Sequence, residues 1–271
     1  MLMDRHALIR LFGFRAGFWH GDTLLQDRWR WLKRRLPETA NGERLLDVGC
    51  GSGAFTVAAA KLGYAALGTS WSEEDLGAAA ERAKISKVDS ARFVRLDVRQ
   101  LGTMEEWKGS FDVVVCLETI EHVLHDRALV EALYDCLTPG GRLLLSTPYY
   151  LYHPITAADK GPFEREERGW HVRRGYTPAM LEELCKSVGF YAEEISYCSG
   201  LLSQKVTWLM RRLEQMRSRL GWIATLPFRP GVALLDGLVT RLLGWPHFSI
   251  CLVAYKPRYN SSGVMTPRSA C

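Results

Sequence analysis

One run, Leu45-Leu46-Asp47-Val48-Gly49-Cys50-Gly51-Ser52-Gly53, constrains this chain more than any other. Leu45, Leu46 and Val48 around a single acid, Asp47, read as a buried strand. Glycines at alternate positions then stop it, and Ala54-Phe55-Thr56-Val57-Ala58-Ala59-Ala60 resumes with helical character. Glycine at such a break permits a tight turn and lets a ligand approach the main chain. The spacing departs from the dinucleotide pattern G-x-G-x-x-G. The acid just before the turn disfavours a phosphate and favours a ligand that carries an ammonium group.

Further strands follow at regular intervals. Tyr64-Ala65-Ala66-Leu67-Gly68-Thr69-Ser70-Trp71-Ser72 holds a second strand and its end, and Phe93-Val94-Arg95-Leu96-Asp97-Val98 a third. Ser110-Phe111-Asp112-Val113-Val114-Val115-Cys116-Leu117-Glu118 is a run expected of a central strand covered on both faces. A Pro139-Gly140-Gly141 turn feeds a fifth strand, Arg142–Thr147. Between them, Trp71-Ser72-Glu73-Glu74 opens a helix toward Lys87, and Leu129 to Leu137 forms another. Asp22 caps a leading helix toward Leu36, with Leu24, Leu25, Arg28, Trp29 and Leu32 as its stripe. Strand alternating with helix at these lengths predicts a mostly parallel, doubly wound α/β sheet. Ligands of such sheets lie beyond the carboxyl ends of the strands, where all these segments finish.

Together the segments resemble the class I S-adenosylmethionine-dependent methyltransferases, in the branch that acts on ubiquinone-type and natural-product small molecules. The resemblance covers about residues 40–190 and a last strand, and it implies a Rossmann-like seven-stranded sheet. It also implies that Asp47 lies near the methionine amino group and that Gly49, Gly51 and Gly53 pass beneath the cofactor. Where the family reads Gly-x-Asp-x-Ser, this chain has Ser70 in place of the ribose-binding acid. A hydroxyl lacks the charge-assisted bond of a carboxylate, a loss of about 1–2 kcal/mol if nothing compensates. Trp71 offers its indole face near the adenine, and Asp97 with Val98 falls where the family holds the adenine amino group. Phe111 to His122 matches "FDVV…E…EH", which adds Leu117 and Glu118 to the cofactor side. Trp19, His20, Arg28 and Trp29 of the leading segment are within reach of the cofactor, although packing of the helical cap explains each of them too. His171-Val172-Arg173-Arg174-Gly175-Tyr176-Thr177 resembles a recurrent "HVR.GYT" element of the same branch, with Thr177-Pro178 as cap and first position of a helix.

The chemistry of methyl transfer asks mainly for a nucleophile held close and aligned, with a base to take its proton. Glu118, Glu121 and His122 form E-x-x-E-H, and a helix there would put Glu118 and His122 on one face. His122 is the first candidate base and His171 the second, with Glu121 orienting one of them. E-x-x-E-H also suits a divalent cation, but no third ligand cluster sits at convincing spacing, so no metal is expected. Tyr149, Tyr150 and Tyr152 lie in an aromatic loop suited to lining a substrate pocket, joined by Arg173 and Tyr176, and the charged stretch 159–170 reads as a cover.

The organisation expected is a helical cap (1–43), a catalytic core (44–198), an amphipathic helical insertion (199–246), a final core strand (247–257) and a loose tail (258–271). In the insertion, Leu202, Val206, Leu209, Leu213, Met216 and Leu220 make one stripe. Leu234, Leu235, Leu238, Val239, Leu242 and Leu243 make another, and Arg211, Arg212, Arg217 and Arg219 sit on the remaining surface. The plain expectation is a helical hairpin packed on the substrate side. The alternative is contact with a membrane surface or a homodimer through residues 201–244. So much apolar surface suits a bulky, lipophilic or aromatic acceptor. The net charge of +5 comes with no nucleic-acid module, so no nucleic-acid partner is expected. Seven dispersed cysteines fit a reducing compartment, and no secretory signal or membrane span is read, so the expected location is cytoplasmic, at most peripheral to a membrane. The function expected is methylation of a small acceptor, at oxygen before carbon or nitrogen. A scaffold that has lost catalysis is the non-enzyme reading.

Overall fold

Leu45 and Leu46 are adjacent, and each is buried on a different side of the sheet, as the two-residue period of a strand requires. In the computed structural model, which describes residues 21–36, 42–216, 220–259 and 265–266, their strand β1 (Arg44–Val48) is an interior strand, third in a seven-stranded sheet. Trp19, His20, Arg217 and Arg219 lie outside the described residues. The other strands are β2 (Ala65–Ser70), β3 (Ala91–Arg95), β4 (Phe111–Leu117), β5 (Leu137–Pro148), β6 (Tyr191–Cys198) and β7 (Ser249–Tyr255), in the order β3-β2-β1-β4-β5-β7-β6. Pairings are parallel except those of β7, which runs antiparallel between β5 and β6.

Both faces of the sheet are covered. Leu46, Val114, Leu143, Leu145 and Leu252 pack with α4 (Asp126–Cys136) and α5 (Pro178–Val188). Leu45, Val113, Val115, Leu144 and Val253 pack with α1 (Thr23–Lys33) and α2 (Ala54–Lys61). Each such leucine contributes about 1.5–3 kcal/mol of burial, which is why the continuous apolar runs become strands. Asp22 caps α1 by accepting from the Leu25 N–H at 2.9 Å, and Ser72 caps α3 (Glu73–Ile85) through Asp75. Thr177 caps α5 through Met180, with Gly189 in the left-handed conformation at its far end. Helix α4 starts earlier than its apolar stripe suggests, at Asp126, and β5 begins at Leu137, so the Pro-Gly-Gly turn is taken inside the strand rather than before it.

The insertion comprises α6 (Leu201–Met216), α7 (Leu220–Thr225) and α8 (Arg229–Leu242) before β7. It is a helical hairpin, but its leucines are not what closes it. The buried face of α6 is Ser203, Gln204, Thr207 and Met210, while Leu202, Val206, Leu209 and Leu213 are half-buried and Met216 and Leu220 are exposed. Thr23 of α1 donates to the Ser203 carbonyl at 2.7 Å and shares a hydrogen with Thr207 at 2.8 Å, and Ser203 donates to Asp27. Asp236 of α8 accepts from the N–H groups of Gly200, Leu202 and Ser203, and Thr240 accepts from that of Leu201. Those N–H groups begin a helix and have no partner within it, so the acceptors on α8 decide which face turns inward. Leu234, Leu235, Leu238, Leu242 and Leu243 are left pointing outward. The tail differs from expectation as well. Arg258–Tyr259 (β8) pairs with Met265–Thr266 (β9), and Arg258 donates to the Pro139 carbonyl at 3.1 Å. Among the described residues, no helix is long and apolar enough to cross a membrane.

Candidate active site

A cavity of about 450 Å³ opens at the carboxyl ends of β1 to β4. Its floor is the glycine turn. Gly49 and Gly51, at φ +77° and +48°, both line the cavity, in a backbone region that side chains disfavour. A Cβ on Gly49 would collide with the Thr119 side chain, whereas one on Gly51 would meet no protein atom within 4 Å. Gly53 does not line the cavity. A Cβ there would approach Ala79 at 2.6 Å and Phe93 at 2.8 Å, so this glycine serves close packing of α2.

Asp47 is buried beneath the turn and off the cavity wall, where it accepts from the Thr56 hydroxyl at 2.6 Å. Burial pushes its carboxyl up to about 6. Ser70 and Trp71 both line the cavity. The Ser70 hydroxyl accepts from the Ser72 N–H at 3.2 Å, and the Trp71 indole is 66% exposed. Asp97 and Val98 form the next part of the wall. Asp97 caps the 3-10 turn Val98–Thr103 and pairs with Arg99, whose hydrogen bond holds the carboxyl below its usual range. Arg99 reaches on to Glu167 at 3.0 Å, and Glu167, Arg168 and Gly169, from the charged stretch 159–170, also line the cavity.

The opposite wall departs from the helical reading of E-x-x-E-H. Leu117 ends β4, buried and off the wall, and Glu118 takes φ +49°; only a three-residue 3-10 turn, Ile120–His122, follows. Glu118 and His122 therefore have no i,i+4 helical relation. Glu118 accepts from Ser146 at 2.8 Å and faces Arg28 of α1 at 3.6 Å, while Glu121 is the carboxylate beside the histidines. Arg28 is buried; burial opposes its charge, and Glu118 and Asp22 outweigh that. Its Nε, also buried, has no hydrogen-bond partner.

Glu121 is fully buried, and burial raises its carboxyl well above the usual value. Oε2 accepts from Thr147 at 3.1 Å, and Oε1, without a hydrogen-bond partner, faces Nε2 of both His122 and His171 at 3.9 Å. The two imidazole centroids are 4.8 Å apart at 80°. Burial lowers both histidines, so both are neutral near pH 7. His122 lines the cavity, and His171, packed against it, does not. His171 is also the third ligand type that spacing alone failed to supply: one atom from each of the three side chains lies within 4.8 Å of the others. A buried carboxylate oxygen between two imidazoles is a donor set able to hold a divalent cation.

The residues expected to bind substrate occupy other places. Tyr176 is buried and donates to Asp126 at 2.8 Å, and Arg173 pairs with the same carboxylate while donating to the Val123 carbonyl at 2.7 Å. Tyr152 is buried with its hydroxyl on the Asp159 carbonyl. Tyr149 bridges to Tyr176 and packs edge-on against Tyr197, and Tyr150 lies exposed under Arg174. None of these five lines the cavity. In the "HVR.GYT" element, only the histidine adjoins the site; the arginine and tyrosine anchor the loop. Thr119, Arg99, Asp75 and Glu167 line the cavity without having been singled out. Arg99, two residues beyond Asp97, and Thr119, next to Glu118, were the ones a reader of the strand ends was placed to find.

A family model described as a methyltransferase domain matches residues 19–195. The ubiquinone biosynthesis O-methyltransferase of Psychrobacter arcticus is 34% identical over 160 residues, which are 57% of this chain and 61% of that protein. Its counterpart in Pseudomonas aeruginosa is 36% identical over 163 residues, 57% of this chain and 67% of that protein. The chain thus matches 61% of the length of the first of these relatives. Among solved structures, phosphoethanolamine N-methyltransferase 2 of Haemonchus contortus, in complex with S-adenosyl-L-methionine, aligns with a TM-score of 0.61 at 20% identity, covering 95% of this chain and 61% of that one. The [4+2]-cyclase SpnF aligns at 0.58 with 18% identity, covering 93% and 94%. At such identities the structures show a shared fold.

The wall suits a sulfonium nucleoside. Two glycines leave the floor bare of side chains, Ser70 ends one strand and Asp97 follows its neighbour, and Arg28, off the wall but 3.6 Å from Glu118, holds a buried Nε without a hydrogen-bond partner. The chain belongs to the methyltransferase-domain family, as a class I member whose cofactor is S-adenosylmethionine.

Proposed function

We propose that this chain transfers a methyl group from S-adenosylmethionine to an oxygen of a small, lipophilic aromatic acceptor. The observation that carries the reading is that His122 lines the same cavity as the glycine turn, Ser70 and Asp97, so base and cofactor residues face one space. The cofactor supplies an electrophilic methyl on a sulfonium. Gly49 and Gly51 let it lie against the main chain, Ser70 takes a ribose hydroxyl and Asp97 faces the base. Arg28, steadied by Glu118, receives the methionine carboxylate. His122, neutral because it is half-desolvated, accepts the proton of the acceptor hydroxyl. Glu121 orients the two imidazoles from below, and His171 buttresses His122. The Arg99–Glu167 pair closes the mouth against water. Support for oxygen as the acceptor atom comes from the relatives named for ubiquinone biosynthesis O-methylation.

The test is transfer of labelled methyl to a series of catechols of increasing chain length, alongside calorimetry of cofactor uptake. His122→Ala should leave cofactor affinity unchanged and reduce kcat by about 10²–10⁴-fold. An unchanged kcat with saturating substrates removes His122 as base, and no cofactor uptake by the parent protein defeats the reading as a whole.

A divalent cation at Glu121, His122 and His171 is a second reading, favoured by the partnerless Oε1 between two imidazoles. There it would polarise the acceptor oxygen as a Lewis acid. Chelator treatment decides between the two: a rate that persists supports the base, and a rate lost to chelation and restored by added metal supports the cation.

A further inference from the structure

The insertion turns outward the side chains a soluble protein normally hides. Leu234 is 81% exposed and Leu242 74%, with Leu235 and Leu238 beside them on α8, Leu243 at its C-cap, and Ile223 of α7 and Phe228 leading to it. Scattered exposed leucines need no explanation, but this many on one short element mark an interaction surface. The arrangement is fixed: Asp236 and Thr240, on the inner side of α8, are locked onto the start of α6. At 14 residues, α8 is about 20 Å long, short of the roughly 30 Å of a bilayer's hydrocarbon, so it can lie on a membrane but not cross it.

Charge selects the occupant. Residues 199–246 hold seven Lys or Arg and two Asp or Glu, a surplus equal to that of the entire chain. One of the two acids, Asp236, is spent as the cap of α6, and two of the seven cations are engaged as well: Arg229 is buried on the Gly21 carbonyl and Arg211 pairs with Asp22 at 3.1 Å. A groove of about 490 Å³ along α6 gathers Lys160, Lys205, Arg211 and Arg212 around Trp208, and none of its lining residues is acidic. Two copies meeting through this face would bring two positive surpluses together. Residues 1–20 add Arg5, Arg10 and Arg15 against a single acid, Asp4, so they do not neutralise it either. A surface that is both apolar and anionic complements it.

We propose that α6–α8 dock this protein on an anionic lipid surface, with the leucines of α8 entering the acyl boundary and the cations of α6 on the headgroup phosphates. The proposal goes beyond methyl transfer and stands whatever the acceptor, because its readout is binding alone.

Flotation of the full-length protein with phosphatidylcholine vesicles and with mixed phosphatidylcholine–phosphatidylglycerol vesicles tests it. The protein should float with the mixed vesicles, far less with the neutral ones, and be released by high salt. The double variant Leu234→Glu/Leu238→Glu should stay unbound while keeping the parent's melting temperature and cofactor uptake, and Arg212→Gln should weaken binding about fivefold. Three results would each overturn the proposal: no flotation of the parent with mixed vesicles; flotation of the double variant equal to the parent's; or a parent dimer in light scattering that the double variant dissolves, which assigns the face to a second copy. A double variant that unfolds shows instead that the leucines are covered within the chain, and it too defeats the proposal unless Arg212→Gln has already weakened vesicle binding in a protein of parental stability.

Discussion

Asp47 and Asp27 are buried carboxylates, and burial pushes each up to about 6 from an ordinary value of 3.8. The folded chain then holds these protons more tightly than the unfolded one. The associated stability is present in full below about pH 3.8 and is lost as pH rises through about 6, on the order of 3 kcal/mol for each group. Asp47→Asn keeps an acceptor for Thr56 and removes the buried charge. Its ligand-free melting temperature should exceed the parent's at about pH 8 and match it near pH 4. Calorimetry of the same variant should show weaker cofactor uptake, because the charge that costs stability is the one that favours an ammonium nearby. Arg28→Gln separates the other end of the ligand: loss of the guanidinium should weaken cofactor binding by about 1.5–3 kcal/mol, roughly 10–150-fold, without changing which acceptors are methylated.

Elements differ in how much of them could be read from the chain. The strand, turn and helix around Gly49–Gly53 were legible because each part depends on its own residues: apolar alternation, glycine at positive φ, an alanine-rich resumption. Gly49, Gly51, Ser70, Trp71, Asp97, Val98, Glu118 and His122 meet at one cavity because the ends of parallel strands meet there, which the order of segments already implied. The loop tyrosines stand off this cavity, which their sequence does not reveal, because an aromatic loop residue looks the same whether it lines a pocket or props up a carboxylate; only the partner, Asp126 or the Asp159 carbonyl, tells them apart. The insertion was legible as helices but not as an orientation, since periodicity assigns leucines to a face without saying where that face points. Long-range acceptors on α8 settled it. Asp236→Ala leaves three backbone N–H groups at the start of α6 without an acceptor and should cost about 2 kcal/mol or more, read as a fall of several degrees in melting temperature.

For the whole molecule, the two histidines and the two buried aspartates answer to pH in opposite senses. His122 and His171 lose their protons below the ordinary imidazole value of 6.5, so kcat should climb with pH and reach half its maximum below 6.5. Over that interval Asp27 and Asp47 finish withdrawing their share of stability. A pH–rate profile whose midpoint lies above 6.5 would assign the controlling proton elsewhere. The two functional surfaces also share a helix. In α1, Asp27 accepts from Ser203 of the insertion, and the next residue, Arg28, faces Glu118 on the cavity wall. Consecutive residues of one helix therefore contact the insertion and the cavity wall. Should drawing Ser203 away from Asp27 change a ligand's grip on Arg28, thermodynamic reciprocity requires that the ligand change the insertion's hold by the same factor.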